Sequence, residues 1–358
     1  MKAKTLLIVL MITAVCVGVL RASIKDIEHK AEVKETIVSF SPKIELILPN
    51  GAMDLKLKQK YVNTLIEFQT KYDYLDNYIF SDLDMSYLFD RTSFGLDLSD
   101  KVDFEELFAQ RTTLQRIRRV TPYVGYNLTD KVKLTFYNRF GNSYTVLLDS
   151  NTVLESGKDV KPGVNLMYSS IDESGELTKG IKASIDVGKS FAIFGGEFDY
   201  TQAEATLHDF TYLSDKHHIE TNVKIGYPLS LLKKPVTEIY GLGGFDMLRG
   251  YKIKEFEGDS MEYLGLKYRF PLILKRDFMN LSLDVFSVDL QYEIGKTGTK
   301  EIFDTFRDMK SSFGFGAGFD LTFFETVKTK LNASVNQAME SRSPEFYFSI
   351  YAVSYLMK

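Results

Sequence analysis

Beyond its first two dozen residues the chain repeats one signal, strict alternation of apolar and polar side chains, the period-two mark of a strand whose faces meet different surroundings. Val327, Thr329, Leu331, Ala333 and Val335 take one face of such a segment, and Lys328, Lys330, Asn332, Ser334 and Asn336 the other. Ile219, Thr221, Val223, Ile225 and Tyr227 alternate likewise with Glu220, Asn222, Lys224 and Gly226, and Ile181, Ala183, Ile185 and Val187 with Lys182, Ser184, Asp186 and Gly188. The pattern predicts strands near 114–127, 131–140, 143–154, 163–170, 178–188, 190–200, 202–213 and 219–229. A long interruption follows, then strands near 259–270, 280–294, 312–323, 326–337 and 345–356. Less regular segments near 36–48, 57–72 and 79–98 bring the total to about sixteen, an even number, as closed bacterial barrels prefer. The acidic stretch from Asp97 to Glu106 reads as a loop or a short helix.

Alternation alone also fits a soluble sandwich, so the surroundings of the strands must be argued separately. Beyond residue 22 no apolar run approaches the ~18 residues of a membrane helix, and a membrane protein built this way has to cross with strands. Predicted strands of ~10 residues suit tilted membrane strands, and polar faces of Lys, Asn, Ser and Gly suit a wet lumen. The N-terminus supplies the route: Lys2 and Lys4 precede an uncharged apolar run from Leu6 to Leu20, and Arg21 ends it, as in a secretory signal cleaved after Ala22. The expected organisation is a signal peptide at 1–22, a short periplasmic segment at 23–35 and an outer-membrane barrel at 36–358. The single cysteine, Cys16, reads as a discarded signal residue rather than a lipid acceptor, because branched Val15 precedes it. Cleavage therefore removes every thiol, and with them any disulfide framework.

Composition changes this picture little. The 27 Phe and 21 Tyr against 8 Pro favour aromatic-rich strands, while the absence of Trp departs from the usual interfacial girdle. A net charge of −4 argues against a nucleic-acid partner.

Specificity lies in the interruption. It reads Gly241-Leu242-Gly243-Gly244-Phe245-Asp246-Met247-Leu248-Arg249-Gly250-Tyr251, followed by Glu257-Gly258-Asp259-Ser260 and Tyr268-Arg269-Phe270-Pro271-Leu272. Glycines allow tight turning and close approach to a wall, and a guanidinium offers a planar fork of donors to a carboxylate. This series resembles the C-terminal barrel of the outer-membrane assembly-factor superfamily, which includes BamA, TamA and the two-partner secretion transporters and is also described as the bacterial surface antigen domain. The resemblance is sharp over 238–350 and architectural before that. It implies an all-β transmembrane antiparallel barrel whose sixth extracellular loop folds into the lumen, with Gly243, Gly244, Leu248, Arg249, Gly250 and Tyr251 forming the loop motif.

In that family the loop arginine meets an acidic wall residue. Phe286, Val288, Leu290, Tyr292 and Ile294 form an outward face, so Ser287, Asp289, Gln291 and Glu293 point inward, and Asp289 matches the family aspartate as the expected partner of Arg249. Lys267 stands where the family often places an acid, and Ser287 and Gln291 depart from its usual aromatic and glycine. On the next strand Phe313, Phe315, Ala317 and Phe319 are expected to face lipid, leaving Gly314, Gly316 and Gly318 as a side-chain-free strip for the returning loop. The last strand alternates Phe346, Phe348 and Ile350 with Tyr347, Ser349 and Tyr351, but its terminal aromatic is displaced inward by Leu356-Met357-Lys358.

The implied function is insertion or translocation of proteins, or of lipids, at the outer membrane, with membrane lipid and exported clients as partners. The periplasmic POTRA domains of ~75 residues have no room before residue 36, so the resemblance is to a form lacking them, or to one whose periplasmic partner is a separate chain. The alternative is a passive pore or structural outer-membrane protein that keeps the fold. No catalytic constellation, cofactor or metal site emerges: adjacent His217 and His218 would point to opposite faces, and Asp82 and Asp84 lack the remaining ligands and glycine of a calcium loop.

Overall fold

The computed structural model describes residues 39–354 except 49–51, 62, 74–77, 108–110, 148–149, 151, 173–178, 193–194, 215–216, 245–246, 252–253, 279–280, 299–307, 324–326 and 341–343. The proposed signal peptide and periplasmic segment lie outside these residues. Among the described residues eighteen strands are formed: β1 (Ser39–Leu48), β2 (Ala52–Tyr61), β3 (Thr64–Asp73), β4 (Tyr78–Phe89), β5 (Thr92–Leu107), β6 (Arg111–Asn127), β7 (Val132–Leu147), β8 (Thr152–Ser169) and β9 (Gly180–Ser190), then β10 (Asp199–Ser214), β11 (His217–Lys233), β12 (Tyr240–Leu242), β13 (Phe256–Gly258), β14 (Ser260–Phe278), β15 (Leu281–Gly298), β16 (Lys310–Phe323), β17 (Val327–Ala338) and β18 (Glu345–Ser354). Sixteen of them close a barrel in chain order, and β12 and β13 pair with each other inside the long connection from β11 to β14. Every barrel pair is antiparallel, including the closing one, where Lys43 to Leu48 of β1 lie opposite Val353 to Phe348 of β18.

The strand total agrees with the alternation through errors that cancel. The segments expected at 57–72 and 79–98 are each two strands. Tyr61 is paired with Thr64 across one tight turn and Phe89 with Thr92 across another, where Asp90 takes a left-handed φ of 53°. Conversely, the expected strands at 131–140, 143–154 and 163–170 are portions of β7 and β8. The expected strand at 190–200 is mostly a connection: Phe191 donates to the Val160 carbonyl at 3.1 Å and Glu197 to the Lys158 carbonyl at 2.7 Å, covering part of β8 that the short β9 does not reach. The acidic stretch at 97–106 is neither loop nor helix but the body of β5.

Alternation sorts the side chains as two solvents would. On β15 the even-numbered Leu290 and Tyr292 are exposed on the outside, and Ser287, Asp289, Gln291 and Glu293 are buried against the inside. Phe136 and Phe140 on β7, and Phe313 and Phe315 on β16, extend the outer apolar belt. A charge in mid-belt meets hydrocarbon with no partner. Phe315→Arg is therefore expected to destabilise the barrel by about 2–4 kcal/mol, measured by urea titration in lipid vesicles, with Phe315→Leu close to the parent.

The two ends of the barrel differ. One carries the tight turns after Tyr61 and Phe89 and one longer connection, 170–179, and the other carries the connections 191–198, 234–259 and 299–309, of which 234–259 is the longest. In bacterial barrels the longer connections face outward from the cell. The 234–259 loop turns into the lumen.

Candidate functional site

The loop enters the barrel because the wall has room for it. β11 and β14 are paired only from Gly226–Met261 to His218–Arg269, so the remainder of β11 has β10 alone as its ladder partner. At the point of divergence Gly226 has no side chain, and a Cβ there would lie 2.2 Å from the Tyr240 ring. Tyr240 lies across this gap and accepts a hydrogen bond from Gln202 of β10 through its hydroxyl. Tyr240, Leu242, Leu248 and Tyr251 then pack with Met261 and Tyr263 of β14 and Ala338 of β17 into one buried cluster, which Met247 and Phe256 flank.

Glycine and backbone bonds shape the tip. Gly243 and Gly244 adopt φ of 115° and 102°, Leu248 is left-handed at 53°, and Gly250 lies at 98°. Gly244 donates to the Tyr251 carbonyl at 3.1 Å, Gly243 to that of Met247 at 3.2 Å, and Tyr251 to that of Leu248 at 3.3 Å. The turn so made drives Leu248 into the cluster and projects Arg249 sideways onto β15. Gly250 meets β17 backbone to backbone, for a Cβ there would lie 2.6 Å from the Ala338 nitrogen. Tyr251 reaches β16, its hydroxyl donating to the Ser311 carbonyl at 3.2 Å.

Arg249 does not meet Asp289. Its guanidinium donates to Gln291, its backbone N–H donates to Glu293 at 2.6 Å, and its Nε lies 3.9 Å from the same carboxylate. Glu293 further accepts from Tyr263 at 2.8 Å and Ser312 at 3.2 Å, which makes it the hub of this anchor. Asp289 is engaged from within the wall. Register places Arg269 of β14 directly opposite it, and Arg269 holds it with a two-pronged bond of 2.8 and 3.2 Å while Lys267 closes in at 3.2 Å. The lysine that replaces the family acid therefore serves Asp289. Depth explains the change of partner: inward residues two apart on a strand are roughly 7 Å apart, and the loop arrives from the end nearer Glu293.

At the glycine strip the nearest atoms to a Cβ belong to the wall and not to the loop: Asn336 and the Val335 carbonyl at Gly314, the Ala333 carbonyl, Ser334 and Asp289 at Gly316, and Ser287, Asn332 and Arg269 at Gly318. The close backbone approach of the loop is made by Gly250.

A second anchor was not expected from the sequence. Just after β11 the loop forms a single 3₁₀ turn at Val236–Glu238. Glu238 projects into three cations on adjacent strands: Arg119 of β6, hydrogen-bonded to it, Lys161 of β8 at 3.6 Å and Arg139 of β7 at 3.8 Å. Burial alone would push this carboxyl up, but the surrounding Arg119, Lys161, Arg139 and Lys234 charges outweigh it and hold it down at about 2. Glu238 thus stays ionised far into the acid range. Val236 adds a backbone donor to Glu155 of β8 at 2.8 Å.

The loop lies inside a longer stretch of sequence that matches a known family. A model of the Omp85 superfamily domain matches residues 67–324. The chain belongs to the Omp85 superfamily. The Omp85 fold is also apparent in solved structures: BamA from Haemophilus ducreyi lacking POTRA domains 1–3 is 12% identical with a TM-score of 0.67, covering 89% of this chain and 70% of that one. CdiB from Acinetobacter baumannii is 12% identical with a TM-score of 0.58, covering 90% of this chain and 60% of that one. No curated protein sequence matches the chain. In this Omp85 barrel the inner wall thus bears one acidic and one basic docking area for the same loop, on β15 and on β6 to β8.

Proposed function

We propose that this chain is an integral outer-membrane barrel that inserts proteins into, or moves them across, the outer membrane, working by wall and lumen without turnover chemistry. The observation that carries the reading is the lumen loop, whose Arg249 tip is bonded to Gln291 and Glu293. An ordered, multiply bonded segment across the lumen works against free diffusion and suits a machine whose lumen is closed between clients. Lipid as client would use the same wall.

The test has two arms. Depleting the chain in its own bacterium is expected to lower the amount of other outer-membrane or secreted proteins, and planar-bilayer recordings of the purified barrel are expected to give small, flickering conductance. Large, steady conductance together with an unchanged outer-membrane proteome would replace this reading with the passive pore. A separate periplasmic partner, if the function needs one, should co-purify with the detergent-solubilised barrel.

A further inference from the structure

The basic area on β6 to β8 has a feature that a merely wet lumen would not retain. Register places Arg139 directly opposite Lys161 across the β7–β8 ladder, and like charges in that position repel. Arg119 approaches from β6, so three cations converge where the wall itself separates them poorly. The Lys161 side chain is only 4% exposed and that of Glu238 9%, against 23% for Arg119 and 25% for Arg139, so bulk water screens the repulsion only in part. Two wall acids, Asp97 and Asp159, act on these cations from farther off, Asp159 while accepting from Ser190 at 2.5 Å and Tyr200 at 2.9 Å, but the carboxylate within 4.0 Å of all three is Glu238. The carboxylate set among the cations belongs to the loop.

The remaining bonds of this segment act in the same sense. Lys161 also reaches Gln202 at 3.5 Å, and Gln202 donates to Tyr240, so the basic area is continuous with the residue that lies over Gly226. Lys234 at the start of the loop lies 3.5 Å from Asp259 at its end, which ties the two stems together. The loop therefore leaves the wall at β11, fastens on β6 to β8, and fastens again on β15 with opposite polarity. Around the ring of sixteen strands those two areas lie on widely separated arcs.

We propose that the loop is a strap across the lumen with two fastenings of opposite charge, Arg249 on β15 and Glu238 among Arg119, Arg139 and Lys161, and that releasing the Glu238 end opens the lumen to ions while the Arg249 end stays held. Glu238 is a positioning residue in this scheme. The strap depends on the barrel and not on what the barrel's clients are, so it can fail or stand independently of the insertion reading.

The experiment is single-channel recording of the purified barrel in planar bilayers, with heat-modifiable migration as the check on folding. Glu238→Ala is expected to raise mean conductance several-fold while the barrel stays heat-modifiable, and Glu238→Gln, which keeps the shape but not the charge, is expected to fall between. Exchanging the charges in the double variant Glu238→Arg with Arg119→Glu is expected to return conductance toward the parent, whereas Arg119→Glu alone leaks. A folded Glu238→Ala barrel with parental conductance would overturn the strap. If Glu238→Ala does not assemble, the exchange decides: a double variant as leaky as Arg119→Glu alone sinks the idea, and recovery supports it.

Discussion

Replacing Arg249 by alanine is expected to undock the loop tip and sharply reduce function while leaving an assembled barrel. The substitution removes the guanidinium bond to Gln291 and the charge beside Glu293, whose side chain is only 6% exposed. A carboxylate left in that position without its cation is costly: breaking a buried pair is worth about 3–5 kcal/mol. Arg249 is itself 23% exposed at the side chain, which places the loss near the lower bound of about 3 kcal/mol, or roughly a hundredfold in the docked population. Tyr263 and Ser312 still bond Glu293, so the wall keeps its shape. Protease sensitivity of the loop in intact vesicles, read beside heat-modifiability, measures the two effects separately. A loop as protected as in the parent would show that the docking does not depend on the arginine. Arg249→Lys keeps the charge but loses the planar fork, and is expected to recover part of the docking.

Gly250→Val should be at least as severe, for a different reason. A φ of 98° is open to glycine, and forcing a side-chain-bearing residue into left-handed backbone costs about 1–2 kcal/mol. Space adds to this, since the new Cβ would lie 2.6 Å from the Ala338 nitrogen and 2.9 Å from the Gln337 carbonyl carbon. Both neighbours are ladder backbone of β17 and have little freedom to give way, and overpacking of that kind typically adds about 1–3 kcal/mol. Gly250→Ala is expected to show much of the same defect, because the clash is already made at Cβ. A Gly250→Ala barrel with parental loop protection would mean that β17 yields.

These two sites were legible in the chain to different degrees. The faces of β15 could be read because each residue's side is fixed by parity, and Leu290 and Tyr292 do face out while Asp289, Gln291 and Glu293 face in. The partner of Arg249 could not be read, because parity fixes the side and not the depth: Asp289, Gln291 and Glu293 are equivalent in pattern, and only the entry height of the loop and the register of Arg269 separate them. Glu238 was further from sight. Its partner Arg119 is 119 residues away, and neither the 3₁₀ turn nor β6 carries a local signature of the other. The missed hairpins were readable in principle. The apolar parity runs odd at Leu55 and Leu57, then even at Ile66 and Phe68, and such a flip is what a tight turn pairing Leu57 with Phe68 produces.

The unequal strand lengths have an effect on the outline of the molecule. A strand of ten residues, such as β1, β2, β3 and β18, climbs about 25 Å at a tilt near 40°, close to the height of the apolar band. The eighteen residues of β8 or β15 climb about 45 Å by the same reckoning. The rim is therefore uneven: it stands high at β8 and at β14 and β15, dips at the eleven-residue β9, and forms a low sill where the first and last strands meet. Anything passing between the lumen and the surroundings has least wall to clear at that sill.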